Sequence, residues 1–245
     1  MPLPLIRLSC VAILLFTALQ ARANAAPRET VWALNSLDHI SGTPAEIWGK
    51  PVLSKSGGQN EVQFDGKADG LLVPAIAIGN WNRFTIEMLF KPEAGGLPEQ
   101  RCLHLQDEKG RRLLIEIRVL NDGDWCLDTF LYSNAGHRLT LIDRTLTHPL
   151  GGWHWVALTY ADGHMTHFVD GVKECGGEVQ FEPMDLSGRT SIGVRQNKVS
   201  WFKGAIREIR FTPDALPADK LRRADPHSPS TRFHPGKESP RPNPI

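Results

Sequence analysis

Residues 153–171 read WHWVALTYADGHMTHFVDG. From Trp155 to Tyr160 the side chains alternate. Val156, Leu158 and Tyr160 point one way, and Trp155, Ala157 and Thr159 the other, which is the period of a strand. Asp162-Gly163 then supplies the positive φ of a tight hairpin turn. Met165 to Val169 returns antiparallel, and Asp170-Gly171 makes the next turn. β-Branched and aromatic residues dominate both arms, so the stretch predicts a β-hairpin held between two turns.

The same pattern extends in both directions. Short alternating runs predict strands at 30–35, 61–64, 70–73, 84–91, 101–106, 112–121, 125–132, 139–143, 153–160, 165–169, 190–194 and 202–211. Turn signals separate them: Asp65-Gly66, Ala94-Gly95-Gly96, Lys109-Gly110, Asn121-Asp122-Gly123, Gly151-Gly152 and Gly176-Gly177. Helical periodicity is almost absent, apart from one short turn expected at 216–221. There is no internal repeat. Many short strands with regular turn signals predict an all-β fold, a two-sheet antiparallel β-sandwich. A single domain of about 200 residues buries enough area to be stable without disulfides.

Several pieces, in order, resemble the laminin-G-like, concanavalin A-like jelly rolls. Phe64-Asp65-Gly66 is similar to that family's hairpin before the first core strand. Phe84-Thr85-Ile86-Glu87, followed by Lys91-Pro92, resembles its first core strand. Trp153 to Gly171 resembles its central hairpin, and Ser191-Ile192-Gly193 the strand that follows. Phe202 to Arg210, with Ala215-Leu216, resembles the closing strand and its terminal turn. The resemblance covers residues 30–222 and implies the lectin-type jelly roll. It leaves function open, because that fold hosts binding modules, enzymes and spacers. Arg207 departs from the pattern, standing where many relatives carry an aspartate, and reads as a surface exchange. Phe84, Trp155, Phe168, Phe202 and Ile206 are expected between the two sheets.

The ends read differently. Residues 1–25 combine a positive start at Arg7, an apolar run at 11–16 and a small-x-small site at Ala23-Asn24-Ala25, the pattern of a bacterial secretory signal peptide cleaved after about Ala25. The product is expected to be secreted or periplasmic, with no membrane span. Residues 26–222 form the expected jelly-roll domain. Residues 223–245, with prolines at 226, 229, 235, 240, 242 and 244, read as a disordered tail.

Cleavage removes Arg7 and Arg22, so 26 basic residues face 27 acidic ones. A near-neutral chain argues against nucleic acid as a partner, since phosphate binding needs concentrated positive charge. Three cysteines remain: Cys102, Cys126 and Cys175. Cys102 and Cys126 belong to strands one strand apart, too far for a bridge, so all three read as buried thiols.

No Glu-x-Asp-x-x-Glu pattern provides the paired carboxylates of a glycosidase on this fold. Lyases of the fold use Arg, Gln, His and Tyr, but their tyrosine-bearing strand is not recognisable. The expectation is a non-catalytic protein. Glu116 and Arg118 lie on the polar face of one strand. Cys102, His104 and Gln106 form one face of the preceding strand, with Arg101 nearby, and Asp128 belongs to the next. A meander would bring His104, Gln106, Glu116, Arg118 and Asp128 onto one sheet surface able to hold a glycan or peptide, with Arg101 a further binding candidate nearby. The alternative is an ordinary solvated face crossed by Glu116–Arg118–Asp128 ion pairs. Arg195, Asn197 and Trp201 form a second candidate, an indole that stacks on a sugar ring beside polar groups; against it stands Trp201 packed at its strand start. No cofactor is expected, although calcium could be held by Asp122 and Asp124, or by Asp65 and Asp69. Calcium needs six to eight oxygens, and Asp-Gly pairs are first of all turn formers. The function expected is carbohydrate binding by an exported module. An interaction or structural domain that docks to an exported protein is the alternative, and an enzyme comes third.

Overall fold

The structure is a computed structural model and describes residues 28–120, 123–134 and 136–224. The expected signal peptide, Asn121, Asp122 and the tail from 225 onward lie outside the described residues. The strands run β1 (Thr30–Ala33), β2 (His39–Ile40), β3 (Thr43–Pro44), β4 (Glu46–Trp48), β5 (Val52–Ser56) and β6 (Gln59–Asp65). Next come β7 (Gly70–Val73), β8 (Phe84–Pro92), β9 (Glu99–Asp107), β10 (Arg112–Val119), β11 (Asp124–Asn134) and β12 (His137–Ile142). The last six are β13 (His148–Pro149), β14 (His154–Ala161), β15 (His164–Val169), β16 (Val172–Glu178), β17 (Gly188–Ile192) and β18 (Lys203–Thr212). A 3₁₀ turn at Ala218–Lys220 sits inside the expected 216–221 turn.

Two large antiparallel sheets result. One has the order β16–β15–β14–β8–β18–β6–β5; β1 joins it along β18, pairing beyond the stretch that β6 uses. The other has the order β12–β11–β10–β9–β17–β7–β4, with β13 paired to the start of β11. β2 and β3 form a small separate hairpin. The architecture is the all-β, two-sheet sandwich that the sequence predicts.

The hairpin of residues 153–171 is β14–β15, in register from Val156–Val169 to Ala161–His164. Asp162 (φ 50°) and Gly163 (φ 80°) both adopt the left-handed conformation of a type I′ turn. Val156, Leu158 and Tyr160 enter the main core between the sheets. There Phe90 meets Trp125 edge-on at 5.2 Å, and Phe84 stacks on Tyr160 at 5.7 Å. Tyr160 keeps its hydroxyl satisfied: it donates to Val179 O and accepts from Phe181 N.

Four details differ from the expectations. Phe84, Phe202 and Ile206 lie between the sheets, but Trp155 and Phe168 lie on the outer face of their hairpin. Phe168 and Ala157 are covered by Leu216, Ala218 and Leu221 of the C-terminal segment, and Arg222 lies over the Trp155 ring. An apolar residue on either face of a strand is buried once a later segment folds across that face. Gly176-Gly177 is no turn but part of β16, where a Cβ on Gly177 would stand 3.1 Å from Leu139. The glycine serves a close approach between sheets. Cys102 packs in the core whereas Cys126 is in register with Arg118 on the outer face, so the two thiols occupy opposite sides of their sheet. Cys175 is only half-buried, and all three are free. Finally, Arg207 is no surface exchange. It donates to Glu61, Gln59 and Ser56 O, and lies 3.9 Å over the Trp153 ring.

Candidate ligand-binding site

The sheet that carries β9, β10 and β11 has one face in the core and one turned outward. On β10, Leu113, Ile115 and Ile117 go inward, so alternation sends Arg112, Leu114, Glu116 and Arg118 outward. β11 follows without a break: Glu116 is in register with Asp128, Leu114 with Phe130 and Arg112 with Tyr132. β9 does not. Its register with β10 shifts between Ile115 and Glu116, so Ile115 faces Leu103 while Glu116 faces Arg101. Cys102 is the extra residue of a β-bulge. Simple alternation groups Cys102 with His104. The bulge instead puts Cys102 in the core and Arg101 on the outer face with His104.

Arg101 Nε donates to Glu116 Oε1 at 2.9 Å, and its Nη1 reaches Glu99 at 2.9 Å and Ser200 Oγ at 3.0 Å. Arg118 Nε donates to Asp128 Oδ2 at 2.7 Å, with Glu116 Oε2 at 3.4 Å from Nη2 and Glu99 at 2.6 Å from Nη1. The expected Glu116–Arg118–Asp128 ion pairs therefore exist. They are not a solvated surface, however, because Glu116 is 3% and Asp128 1% exposed. Burial pushes the Glu116 carboxyl up to about 7; Arg101 and Arg118 oppose the shift and Asp128 adds to it. Glu99, more exposed and hydrogen-bonded by Arg101 and Arg118, is held down at about 2. Asp128 Oδ1 is buried and has no hydrogen-bond partner among the described residues.

The loop of residues 194–201 folds back across this face. Gln196 N donates to His104 Nδ1 at 3.1 Å, and its side-chain amide donates to His104 O and Arg189 O. His104 is thereby covered, and burial with the charges of Arg195, Arg112 and Arg101 lowers its pKa to about 3. Gln106 lies beside it, in register with Arg112 and Arg189. Between the strands and the loop is a recess of about 240 Å³, lined by Arg101, Arg112, Glu116, Arg118, Asp128 and Arg195 among others. Of the second candidate group Arg195 thus joins the first, in a site where the loop forms a wall.

Not every candidate belongs to it. Trp201 packs against Trp48, Leu72 and Val194, so its indole fills a small outer core. Asn197 is exposed at the loop tip. Arg112 was not anticipated. Its guanidinium lies over the Phe130 and Tyr132 rings at 5.5 and 4.7 Å, and the alternation of β10 that placed Glu116 and Arg118 also placed it. Of the calcium candidates, Asp122 lies outside the described residues. Asp65 and Asp69 accept backbone amides of their own turn. Among the described residues no group of three or more His, Cys, Asp or Glu side chains is arranged to hold a metal ion, and no helix is long and apolar enough to cross a membrane.

A two-sheet sandwich with a recess on an outer sheet face is the build of a lectin-type jelly roll. The sequence matches the laminin-G-type concanavalin A-like lectin/glucanases superfamily over residues 65–222, and the chain belongs to that superfamily. Solved structures share the fold. Domain 4 of AbnA, an extracellular GH43 arabinanase of Geobacillus stearothermophilus in complex with arabinotriose, superposes with a TM-score of 0.58 at 18% identity, covering 79% of this chain and 97% of that one. The binding domain of botulinum neurotoxin serotype D gives 0.59 at 14% identity, over 79% of this chain and 50% of that one. A pentraxin from Limulus polyphemus gives 0.50 at 19% identity, over 64% and 77%. No functionally curated protein matches the sequence.

Proposed function

We propose that this protein is a non-catalytic binding module of an exported chain, and that it recognises carbohydrate in the recess between β9–β11 and the 194–201 loop. The observation that carries the reading is the recess itself, a concavity on an outer sheet face lined by several guanidiniums and walled by a loop. Fixed polar groups converging on a concavity are what a small polar ligand requires. Arginine forks suit the hydroxyl and ring oxygens of a sugar. The AbnA domain with its arabinotriose shows that the fold can hold a glycan.

The absence of catalysis is supported by the carboxylates. A glycosidase needs an acid and a nucleophile or base that flank the scissile bond. Glu116 and Asp128 are held by Arg101 and Arg118 and are nearly inaccessible.

The test is retention of the domain on a panel of insoluble and arrayed polysaccharides, with and without calcium, beside a Thr140→Trp variant, since Thr140 lines the recess on β12 opposite Phe130 and an indole there fills it. Retention on a defined class, lost in the variant, supports the reading. No retention on any polymer in either condition overturns it and shifts weight to docking on an exported protein.

A further inference from the structure

We infer that the recess selects acidic saccharides, and that Arg112 and Arg195 are the residues that hold the ligand's anionic group. The inference rests on the carbohydrate reading above and narrows its ligand class.

Four guanidiniums line the recess against two carboxylates. The acids are already engaged. Arg101 pairs with Glu116 and Glu99, and Arg118 with Asp128, Glu116 and Glu99. Arg112 and Arg195 are left over. Neither has a carboxylate within ion-pair distance among the described residues, although both line the same concavity. Outside the recess, the partly buried Arg111, Arg207 and Arg210 each pair with an acid.

The leftover pair is positioned at some cost. Arg112 is half-buried with its guanidinium over two rings. Burial and the neighbouring Arg195 charge both lower its proton affinity. A cation pair that is partly desolvated and mutually repelled is stabilised by an anion placed between its members. The rest of the molecule cannot attract acidic polymers by bulk charge, since the whole chain carries a formal net charge of only +1. Any preference for an acidic polymer must therefore be local. Guanidinium forks take carboxylate and sulfate alike, so the shared chemistry is a saccharide bearing either group.

The experiment is affinity electrophoresis and titration of the folded domain with polygalacturonate, dextran sulfate and neutral linear arabinan. It compares the natural sequence with Arg112→Gln, Arg195→Gln and the double variant. Lys109→Gln, an exposed lysine that is outside the recess lining and pairs with Asp185, controls for bulk charge, and thermal melts confirm folding. The expected result is retardation by one or both acidic polymers, weakened about tenfold or more in either single variant and unchanged in Lys109→Gln. Polygalacturonate alone would identify the carboxylate as the ligand group, dextran sulfate alone the sulfate ester. Binding of arabinan only, unaffected by the two variants, would overturn this inference and leave the carbohydrate reading standing. Acidic-polymer binding that Lys109→Gln weakens as much as Arg195→Gln would also overturn it. No binding to any of the three overturns both.

Discussion

Glu116 and Arg101 meet at 2.9 Å because β9 carries one residue more than β10 at Cys102. Were the register unbroken, Cys102 would face Glu116 and Arg101 would turn to the opposite side of the sheet. The bulge thus converts an alternation that favours a thiol into a buried ion pair. Bulges commonly re-aim a side chain where a surface is functional.

The same pair sets a pH dependence. Burial raises Glu116 to about 7 from an ordinary 4.5. The folded protein therefore holds this proton across a range where the unfolded chain has lost it. Stability from this group is complete below about pH 4.5 and declines as pH rises towards 7, by at most about 1.4 kcal/mol per pH unit. In Glu116→Gln that decline is absent. Urea midpoints from pH 5 to 8 should fall in the natural protein and stay flatter in the variant; parallel curves would contradict the assignment.

Arg118→Met should be among the most damaging changes on the outer face. It leaves Asp128, 1% exposed, without its cation. Losing one partner of a buried pair costs about 3–5 kcal/mol, and less where, as here, the cation is partly exposed. The double variant Arg118→Met with Asp128→Leu should recover much of that loss, since the stranded charge is gone. Chemical denaturation of Arg118→Met, Asp128→Leu and the double variant measures the coupling; a double variant as unstable as Arg118→Met would show that packing, not charge, dominates.

Much of this was legible in the sequence, and the reasons are physical. Strand alternation is local, so Gly70–Val73 and the β14–β15 hairpin could be read directly, and the outward set on β10 followed from it. Three kinds of feature were not readable. The strand Val52–Ser56 is an exposed edge strand with little apolar alternation, although Gly57-Gly58 beside it makes a tight turn, both residues with positive φ. The β9 bulge changes parity without leaving a signature in residue type. The third is tertiary cover. Only after the chain returns does the 194–201 loop roof His104, or the C-terminal segment bury Ala157 and Phe168. For that reason the two candidate sites looked separate, and Trp201 looked available to a sugar.

The Asp170 side chain ties together the hairpin and the C-terminal segment. Its Oδ1 accepts from Trp155 N at 2.9 Å and Ala224 N at 3.1 Å, and its Oδ2 lies 2.9 Å from His154 Nδ1. Burial alone would raise its pKa, but the hydrogen bonds from His154 and Trp155 prevail and hold it below 3.8. The sign is opposite to that of Glu116. This stabilisation is present above about pH 4 and is lost as pH falls through the folded value. Asp170→Ala should cost about 2–3 kcal/mol at neutral pH, as hydrogen bonds to a charged acceptor do. It should also expose the Trp155 face, which a rise in Trp fluorescence quenching by iodide would report. An unchanged melt at pH 7 would defeat the claim.

The Asp65–Asp69 turn separates a structural from a metal-binding role for its acids. Asp65 Oδ1 accepts from the amides of Lys67, Ala68 and Asp69 at 2.8, 2.9 and 3.1 Å. Asp69 in turn accepts from Lys50 N at 2.7 Å and Asp65 N at 3.1 Å. These carboxylates replace backbone partners that the tight turn cannot supply, which is what a short acidic side chain does best in a loop. A cation there would have to compete with those amides for the same oxygens. Asp69→Ala should therefore lower the midpoint of denaturation by the equivalent of about 1–3 kcal/mol. The loss should be the same in EDTA and in millimolar calcium. If calcium raises the melting temperature of the natural protein but not of Asp69→Ala, the turn is a cation site and its amide contacts are secondary.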